Sequence, residues 1–86
     1  MKRYIVYEHK FPNGKSYIGI TSKAPNARWA KGKGYSESHQ EVMYKAIQKY
    51  GWENISHFIL YEDLSLEEAQ RKEIELIKEK RIGNLS

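Results

Sequence analysis

The sequence predicts a small α+β domain, in which a three-stranded antiparallel sheet is flanked by helices in the order β-β-α-α-β-α. Two observations support this prediction. A strand-turn-strand pattern occupies the amino-terminal part of the chain, and apolar residues at helical spacing follow capping motifs in the rest. Because the chain has 86 residues, we expect residues 1–86 to form a single domain.

The amino-terminal hairpin is predicted from β-branched and aromatic residues on either side of a turn. Residues 3–9 (RYIVYEH) form the first predicted strand, and residues 16–21 (SYIGIT) form the second. The dipeptide Asn13-Gly14 lies between them and is typical of a tight hairpin turn. The first two strands are therefore expected to pair antiparallel.

A short helix is predicted after the hairpin. Pro25 suits the first turn of a helix, with Thr21 or Ser22 nearby as its cap, and Gly32 is expected to end it. The following glycines and serines are typical of a loop.

Two S-x-x-E capping boxes open the remaining helices. Ser38–Glu41 precedes a helix that is expected to end at Gly51, and Ser65–Glu68 precedes a helix that is expected to reach about Lys80. Residues 57–62 (HFILYE) lie between these helices and are predicted to form a third strand, buried on at least one face.

The composition excludes several classes of protein. The chain has no cysteine, which rules out a disulfide scaffold and a cysteine-based zinc site. No apolar run approaches the roughly 18 residues of a membrane span, so we expect a soluble cytoplasmic protein without a membrane partner. The net charge of +4 favours an anionic partner without identifying it.

One glutamate interrupts the apolar face of the last predicted helix. Glu73 projects into the middle of a stripe formed by Leu66, Ala69, Leu76 and Ile77. A buried carboxylate is costly unless it is paired or coordinates a metal. These residues alone leave three explanations open: an ion pair with a lysine or arginine, a helix that is only half covered at this point, or a metal site.

Motifs in both halves of the chain resemble those of the GIY-YIG nuclease family. Tyr7 ends the letters IVY, Tyr17 begins YIG, and Arg28 follows nine residues after Gly19. In the segment EEAQRKEIELI, Glu73 matches the late helical glutamate of the family. The glycine of the first family signature is absent here.

The resemblance covers roughly residues 4–80 and is closest to small phage and bacterial members, including the catalytic domains of homing endonucleases. Tyr4 is an alternative to Tyr7 as the signature tyrosine. Asn84 is the only candidate for the asparagine that the family carries beyond the last helix. The chain stops where a final element would begin, so both a complete domain and one trimmed at its C-terminus are compatible with the sequence.

The resemblance implies a metal-dependent DNA endonuclease that leaves a 5′-phosphate and a 3′-hydroxyl. It implies that Glu73 binds one Mg²⁺ or Mn²⁺ ion and that Arg28 holds the phosphate. Tyr7 or Tyr17, with Tyr7 favoured, would act as the general base or orient the attacking water. The residues expected to contribute to substrate binding are Gly19, Lys15, Lys31, Lys33, Tyr35, His39 and Asn84. Many members carry a histidine or tyrosine shortly after the arginine, and the sequence leaves three alternatives for it: Tyr35, His39, or the absence of this residue.

Two other functions remain open at this point. A small sheet with aromatic residues and basic loops is also typical of non-catalytic nucleic-acid-binding modules. A relative that has lost catalysis could serve as a protein-interaction domain. A binding module has no use for the carboxylate of Glu73, whereas a nuclease does. If the chain is a nuclease, a homodimer or a separate specificity domain would have to supply sequence specificity.

The remaining aromatic residues receive no functional assignment. Trp29, Tyr50 and Trp52 are expected in the core. His9 is a lone histidine in the sequence pattern, and His57 is expected to pack beside the third strand.

Overall fold

A computed structural model describes residues 2–80 of the chain. Its order, β-β-α-α-β-α, and its α+β class are those predicted from the sequence. Short 3-10 turns at Ala30–Gly32 and Trp52–Asn54 follow the first two helices. None of the helices in residues 2–80 is long and apolar enough to cross a membrane. The elements are β1 (Tyr4–Lys10), β2 (Ser16–Thr21), α1 (Pro25–Trp29), α2 (Glu41–Tyr50), β3 (Ser56–Leu64) and α3 (Leu66–Lys80).

The three strands form one antiparallel sheet in the order β2-β1-β3, so that β1 is central. Across the β1–β2 pair, Tyr7 lies opposite Gly19 and His9 lies opposite Tyr17. Across the β1–β3 pair, His9 lies opposite His57. Directly opposed residues project from the same face of a sheet. The phenols of Tyr7 and Tyr17 and the two imidazoles therefore share one face.

The two faces of the sheet are covered by different helices. Alternation along each strand sends neighbouring side chains to opposite faces. One core cluster includes residues of α2, and Trp29, Tyr50 and Trp52 pack against it as predicted. The other includes Ala69 of α3. The buried members of the first cluster are Phe11, Tyr35, Met43, Ala46 and Ile55, and those of the second are Val6, Ile18 and Ala69.

The expected cap of α1 is wrong. Ala24 is the N-cap residue and makes no side-chain hydrogen bond, while Pro25 occupies the first turn as predicted. Thr21 and Ser22 lie too far before the helix to reach its first amides. The Thr21 hydroxyl instead accepts a hydrogen bond from the backbone N–H of Lys23 at 3.0 Å, which stabilises the turn that leaves β2.

Of the two predicted capping boxes, only the second is formed. The N-cap of α2 is Gln40, without a side-chain cap, because the helix begins only at Glu41 and Ser38 lies before its first turn. At the start of α3, the backbone N–H of Glu68 donates to the Ser65 hydroxyl at 3.1 Å. The Ser65 N–H donates to the Glu68 carboxylate at 2.9 Å in return.

The prediction that one face of β3 is buried is also wrong. Phe58, Ile59 and Tyr61 are 45%, 38% and 38% exposed. The reason is that β3 is an edge strand and α3 packs mainly against β1 and β2. Leu66 at the start of α3 is likewise exposed, although it belongs to the predicted apolar stripe.

Candidate functional site

A cleft of about 360 Å³ lies beside the edge strand β2 and contains three of the residues singled out from the sequence. Tyr17 comes from β2, His39 from the segment before α2, and Glu73 from the middle of α3. Residues 40–42 and Ile18 complete its lining. Three distant parts of the chain thus contribute a phenol, an imidazole and a carboxylate to one cleft.

The Glu73 carboxylate is half-buried and has no charged partner within residues 2–80. No ion pair or hydrogen bond to it forms among these residues. Its helical neighbour Lys72 lies 3.9 Å from Glu75 instead. Burial raises the pKa of Glu73 above its ordinary value. Of the three explanations left open by the sequence, an ion pair between Glu73 and a lysine or arginine is therefore not formed within residues 2–80.

The Arg28 guanidinium is held in place from two sides. Its Nη1 donates to the Gly34 carbonyl oxygen at 2.7 Å, and its Cζ lies 4.5 Å from the centroid of the Tyr35 ring. A Cβ atom at position 34 would collide with the backbone carbonyl oxygen of Arg28, so the close approach of these two backbone segments requires glycine at this position. Because one edge of the guanidinium is fixed, its remaining N–H groups are pre-organised for an anion.

The other three predicted catalytic side chains all affect the pKa of Tyr17. Burial, and next the neighbouring Tyr7, raise the pKa of Tyr17. Arg28 acts in the opposite direction and Glu73 raises this pKa further. Such electrostatic effects require proximity. Tyr7, Arg28 and Glu73 therefore lie within electrostatic range of Tyr17, and Glu73 shares its cleft.

Tyr7 is 1% exposed, and its phenol extends from the central strand across the edge strand. A Cβ atom at Gly19 would lie 2.5 Å from the Tyr7 hydroxyl oxygen and 2.6 Å from its Cζ. The space in front of Gly19, a residue that the resemblance assigns to substrate binding, is thus occupied by a phenol of the protein itself. Tyr4 packs in the cluster beneath α3, on the opposite face. Of the two alternatives for the signature tyrosine, Tyr7 is the one beside Tyr17.

Substituting alanine for Gly19 should destabilise the fold by about 1–3 kcal/mol, because the added methyl group overpacks the site of the Tyr7 phenol. Urea unfolding measures this change. In a Tyr7→Leu background, which lacks the three atoms that the methyl group would meet, Gly19→Ala should cost much less. An equal cost in both backgrounds would show that this contact is not the reason for the glycine.

The lysines predicted to contact substrate lie at the surface. Lys15, Lys31 and Lys33 are all exposed. Lys31 lines a second cleft rather than the one that contains Glu73. Asn84 lies outside the described residues.

The second cleft, of about 590 Å³, is mainly aromatic. The rings of Trp52 and His57 stack with centroids 3.9 Å apart, which gives this cleft a rigid wall. Its lining residues are Asn26, Trp29, Ala30, Lys31, Trp52 and His57.

His9 is not a lone histidine, contrary to the sequence-based expectation. It is fully buried, and its Nδ1 lies 2.9 Å from Nδ1 of His57. Its Nε2 lies 2.6 Å from the Tyr35 hydroxyl oxygen. Burial, and next the charges of His57 and Arg28, lower the pKa of His9 to about 3, so this imidazole is neutral at physiological pH. No sequence signal pairs residues 9 and 57, because their contact depends on the register of β1 and β3.

The cleft beside β2 is suited to a hard divalent cation. A half-buried carboxylate without a cationic partner among residues 2–80 is the kind of oxygen ligand that Mg²⁺ prefers. Residues 2–80 contain no group of three or more His, Asp or Glu side chains that could hold a metal ion. Glu41 and His39 also line this cleft, and an ion held by Glu73 would take most of its other ligands from water and phosphate, as Mg²⁺ often does.

In three comparisons with known proteins, no family model, curated protein or solved structure matches this chain. The likeness to GIY-YIG nucleases therefore depends on the motifs quoted above. The case for a function depends on the chemistry of the cleft and its neighbours.

Proposed function

We propose that this chain is a metal-dependent DNA endonuclease of the GIY-YIG type, which hydrolyses phosphodiester bonds to a 5′-phosphate and a 3′-hydroxyl. One observation supports this proposal above all others. The half-buried Glu73 carboxylate faces a cleft that it shares with Tyr17 and His39, and it has no cationic partner within residues 2–80. An unpaired carboxylate in such a position costs stability, and binding a cation would offset that cost.

Arg28 binds the scissile phosphate in this proposal. Phosphodiester hydrolysis places additional negative charge on the phosphate oxygens, and a guanidinium can hold two of them at once. The contacts with Gly34 and Tyr35 orient Arg28 before substrate arrives. The transition state therefore gains a positive charge without a cost of reorganisation.

Glu73 holds a single Mg²⁺ or Mn²⁺ ion in the cleft. The bound ion supplies charge neutralisation at the scissile phosphate and stabilises the leaving oxygen. Tyr17 lines the same cleft and orients the attacking water, while the buried Tyr7 lies directly behind it. His39 contributes a further polar contact to the substrate.

DNA is the proposed partner, bound through its phosphates. Lys15 and Lys33 are exposed and the chain carries a net charge of +4. Contacts of this kind position a duplex without reading its sequence, and they weaken steeply with salt. A homodimer or a separate specificity domain would supply any sequence preference.

Nicking of supercoiled plasmid tests the proposal. Nicks should appear with Mg²⁺ or Mn²⁺ and disappear with EDTA, and a DNA ligase should reseal them because it joins 5′-phosphate and 3′-hydroxyl ends. Salt-sensitive DNA binding without nicking, in a protein shown to be folded by circular dichroism, would favour a non-catalytic binding module instead.

A further inference from the structure

A chain of hydrogen-bonded groups crosses the interior of the protein from Tyr7, which is buried beside Tyr17, to the second cleft. The hydroxyl oxygens of Tyr7 and Tyr35 lie 3.4 Å apart, and Tyr35 Oη lies 2.6 Å from His9 Nε2. The two Nδ1 atoms of His9 and His57 are 2.9 Å apart. His57 Nε2 lies 3.3 Å from the carbonyl oxygen of Trp52.

The last group in this chain fixes the direction of every hydrogen bond before it. A carbonyl oxygen only accepts, so His57 must donate to Trp52 from Nε2. A neutral imidazole has one N–H, so Nδ1 of His57 accepts from Nδ1–H of His9. Nε2 of His9 then accepts from the hydroxyl of Tyr35.

The hydroxyl of Tyr35 has thereby used its only proton, and its oxygen is left to accept. Either tyrosine hydroxyl could donate across the 3.4 Å gap on geometry alone. With the proton of Tyr35 committed to His9, the bond runs from the Tyr7 hydroxyl to the Tyr35 oxygen. The Tyr7 oxygen keeps its lone pairs and so remains able to accept a proton.

We propose that Tyr35, His9 and His57 form a proton relay behind Tyr7, through which the proton of the nucleophile reaches His57 at the second cleft. This inference rests on the nuclease function proposed above. It explains how a phenol can act as a general base without becoming a phenolate. Tyr35, His9 and His57 are positioning residues in this scheme, since each acts on the nucleophile only through Tyr7.

The proton transfer balances in four steps that occur together. The attacking water gives a proton to the Tyr7 oxygen and forms its new bond to phosphorus as the bond between phosphorus and the 3′-oxygen breaks, and the leaving 3′-oxygen takes a proton from solvent water. The original proton of Tyr7 passes to the Tyr35 oxygen, and that of Tyr35 passes to Nε2 of His9. The Nδ1 proton of His9 passes to Nδ1 of His57. Both tyrosines and His9 end neutral, and His57 carries the single added proton.

His57 is suited to be the end of this relay. It is only partly buried and lines the open second cleft, so it can release the proton to solvent. Burial lowers the pKa of His57 from its usual value of 6.5, so the imidazole is neutral and able to accept at neutral pH. The titratable or charged groups around the two imidazoles are Tyr7, Tyr17, Arg28, Lys31 and Tyr35.

Nitrogen-15 NMR of the free protein tests the order of the hydrogen bonds without DNA or metal. At pH 8 we expect His9 to carry its proton on Nδ1 and His57 to carry its proton on Nε2. Long-range nitrogen–proton correlation spectra distinguish these tautomers. A neutral His9 protonated on Nε2 would reverse the direction of the chain and overturn the proposal.

Kinetics test the relay itself. Tyr35→Phe keeps the ring beneath Arg28 but removes the connecting hydroxyl, and His57→Gln keeps a donor for the Trp52 carbonyl but removes the basic nitrogen. Each should lower kcat for plasmid nicking by about 10²-fold with little change in KM, because each removes general-base assistance. The double variant should lose no more than either single variant, since residues that act as a unit are not additive.

The pH dependence distinguishes a proton acceptor from a merely structural residue. In the native protein kcat should fall as pH drops through the lowered pKa of His57, because the protonated imidazole cannot accept. The His57→Gln variant should lose this fall. Tyr44→Phe in α2 is the matched control and should leave the profile unchanged.

The possible outcomes separate this inference from the proposed function. A native protein that shows no metal-dependent nicking at any pH overturns both. A native protein that nicks DNA, with Tyr35→Phe and His57→Gln equally active, overturns the relay and leaves the nuclease intact. Independent, additive losses with an unchanged pH profile would also overturn the relay.

Discussion

Replacing Glu73 with glutamine should reduce metal-dependent plasmid nicking by at least about 10³-fold, equivalent to about 4 kcal/mol of transition-state stabilisation. Glutamine has nearly the same shape but no negative charge, so it is a poor ligand for Mg²⁺ or Mn²⁺. DNA binding in EDTA should be unchanged, because the proposed function assigns the phosphate contacts to lysines and Arg28 rather than to Glu73.

The same substitution should not weaken the fold. Burial raises the pKa of Glu73 above its value in the unfolded chain. Between those two pKa values the folded state binds more protons than the unfolded state, so this group lowers stability as pH rises through that window. At neutral pH the native protein carries the full penalty, and Glu73→Gln should be at least as stable as the native chain.

Thermal unfolding provides a second measurement that needs no DNA. Saturating Mg²⁺ or Mn²⁺ should raise the Tm of the native protein, by the equivalent of about 2.7 kcal/mol when the ion is at 100 times its Kd, and should not raise that of Glu73→Gln. Glu75→Gln is the matched control, since within residues 2–80 its exposed carboxylate pairs only with Lys72. Full activity in Glu73→Gln would show that this residue is not the metal ligand.

The elements of the fold were predictable because each has a local signal. The hairpin of β1 and β2 follows from alternating residues around Asn13-Gly14, and α3 follows from Ser65 and Glu68 at its start. The errors arose where tertiary position overrides local pattern. Residues 56–64 are apolar enough for a buried strand, but β3 lies at the edge of the sheet and leaves Phe58 exposed.

The candidate site was only partly predictable, for the same reason. Glu73 could be singled out from the sequence because a charged residue interrupts the apolar residues that recur at helical spacing. The pairing of His9 with His57 was not visible, because it requires the register of two strands that are far apart in sequence. Tyr35 was predicted only in part. The resemblance offered it as a candidate for a residue that follows Arg28 in the sequence, but its hydrogen bond to His9 was not predicted.

Replacing Arg28 with lysine should lower kcat by about 10²–10³-fold, the range typical of losing one pre-organised donor group at a developing oxyanion. Lysine keeps the positive charge, so KM should change little. Its three N–H groups radiate from one nitrogen, so it cannot offer a phosphate the planar fork of a guanidinium while it donates to Gly34. Steady-state nicking rates at several DNA concentrations separate kcat from KM.

Stability measurements tell a catalytic role of Arg28 apart from a structural one. Losing the Gly34 hydrogen bond and the contact with the Tyr35 ring should cost about 1–2 kcal/mol, which leaves the fold intact at 25 °C if the native stability is ordinary. Arg71→Lys is the control, because its guanidinium forms an ion pair with the exposed Glu67 at 3.6 Å, away from the candidate site. If Arg28→Lys retained native kcat while losing stability, the guanidinium would serve only to hold the loop at Gly34, and the phosphate clamp would have to be sought elsewhere among the cations beside β2.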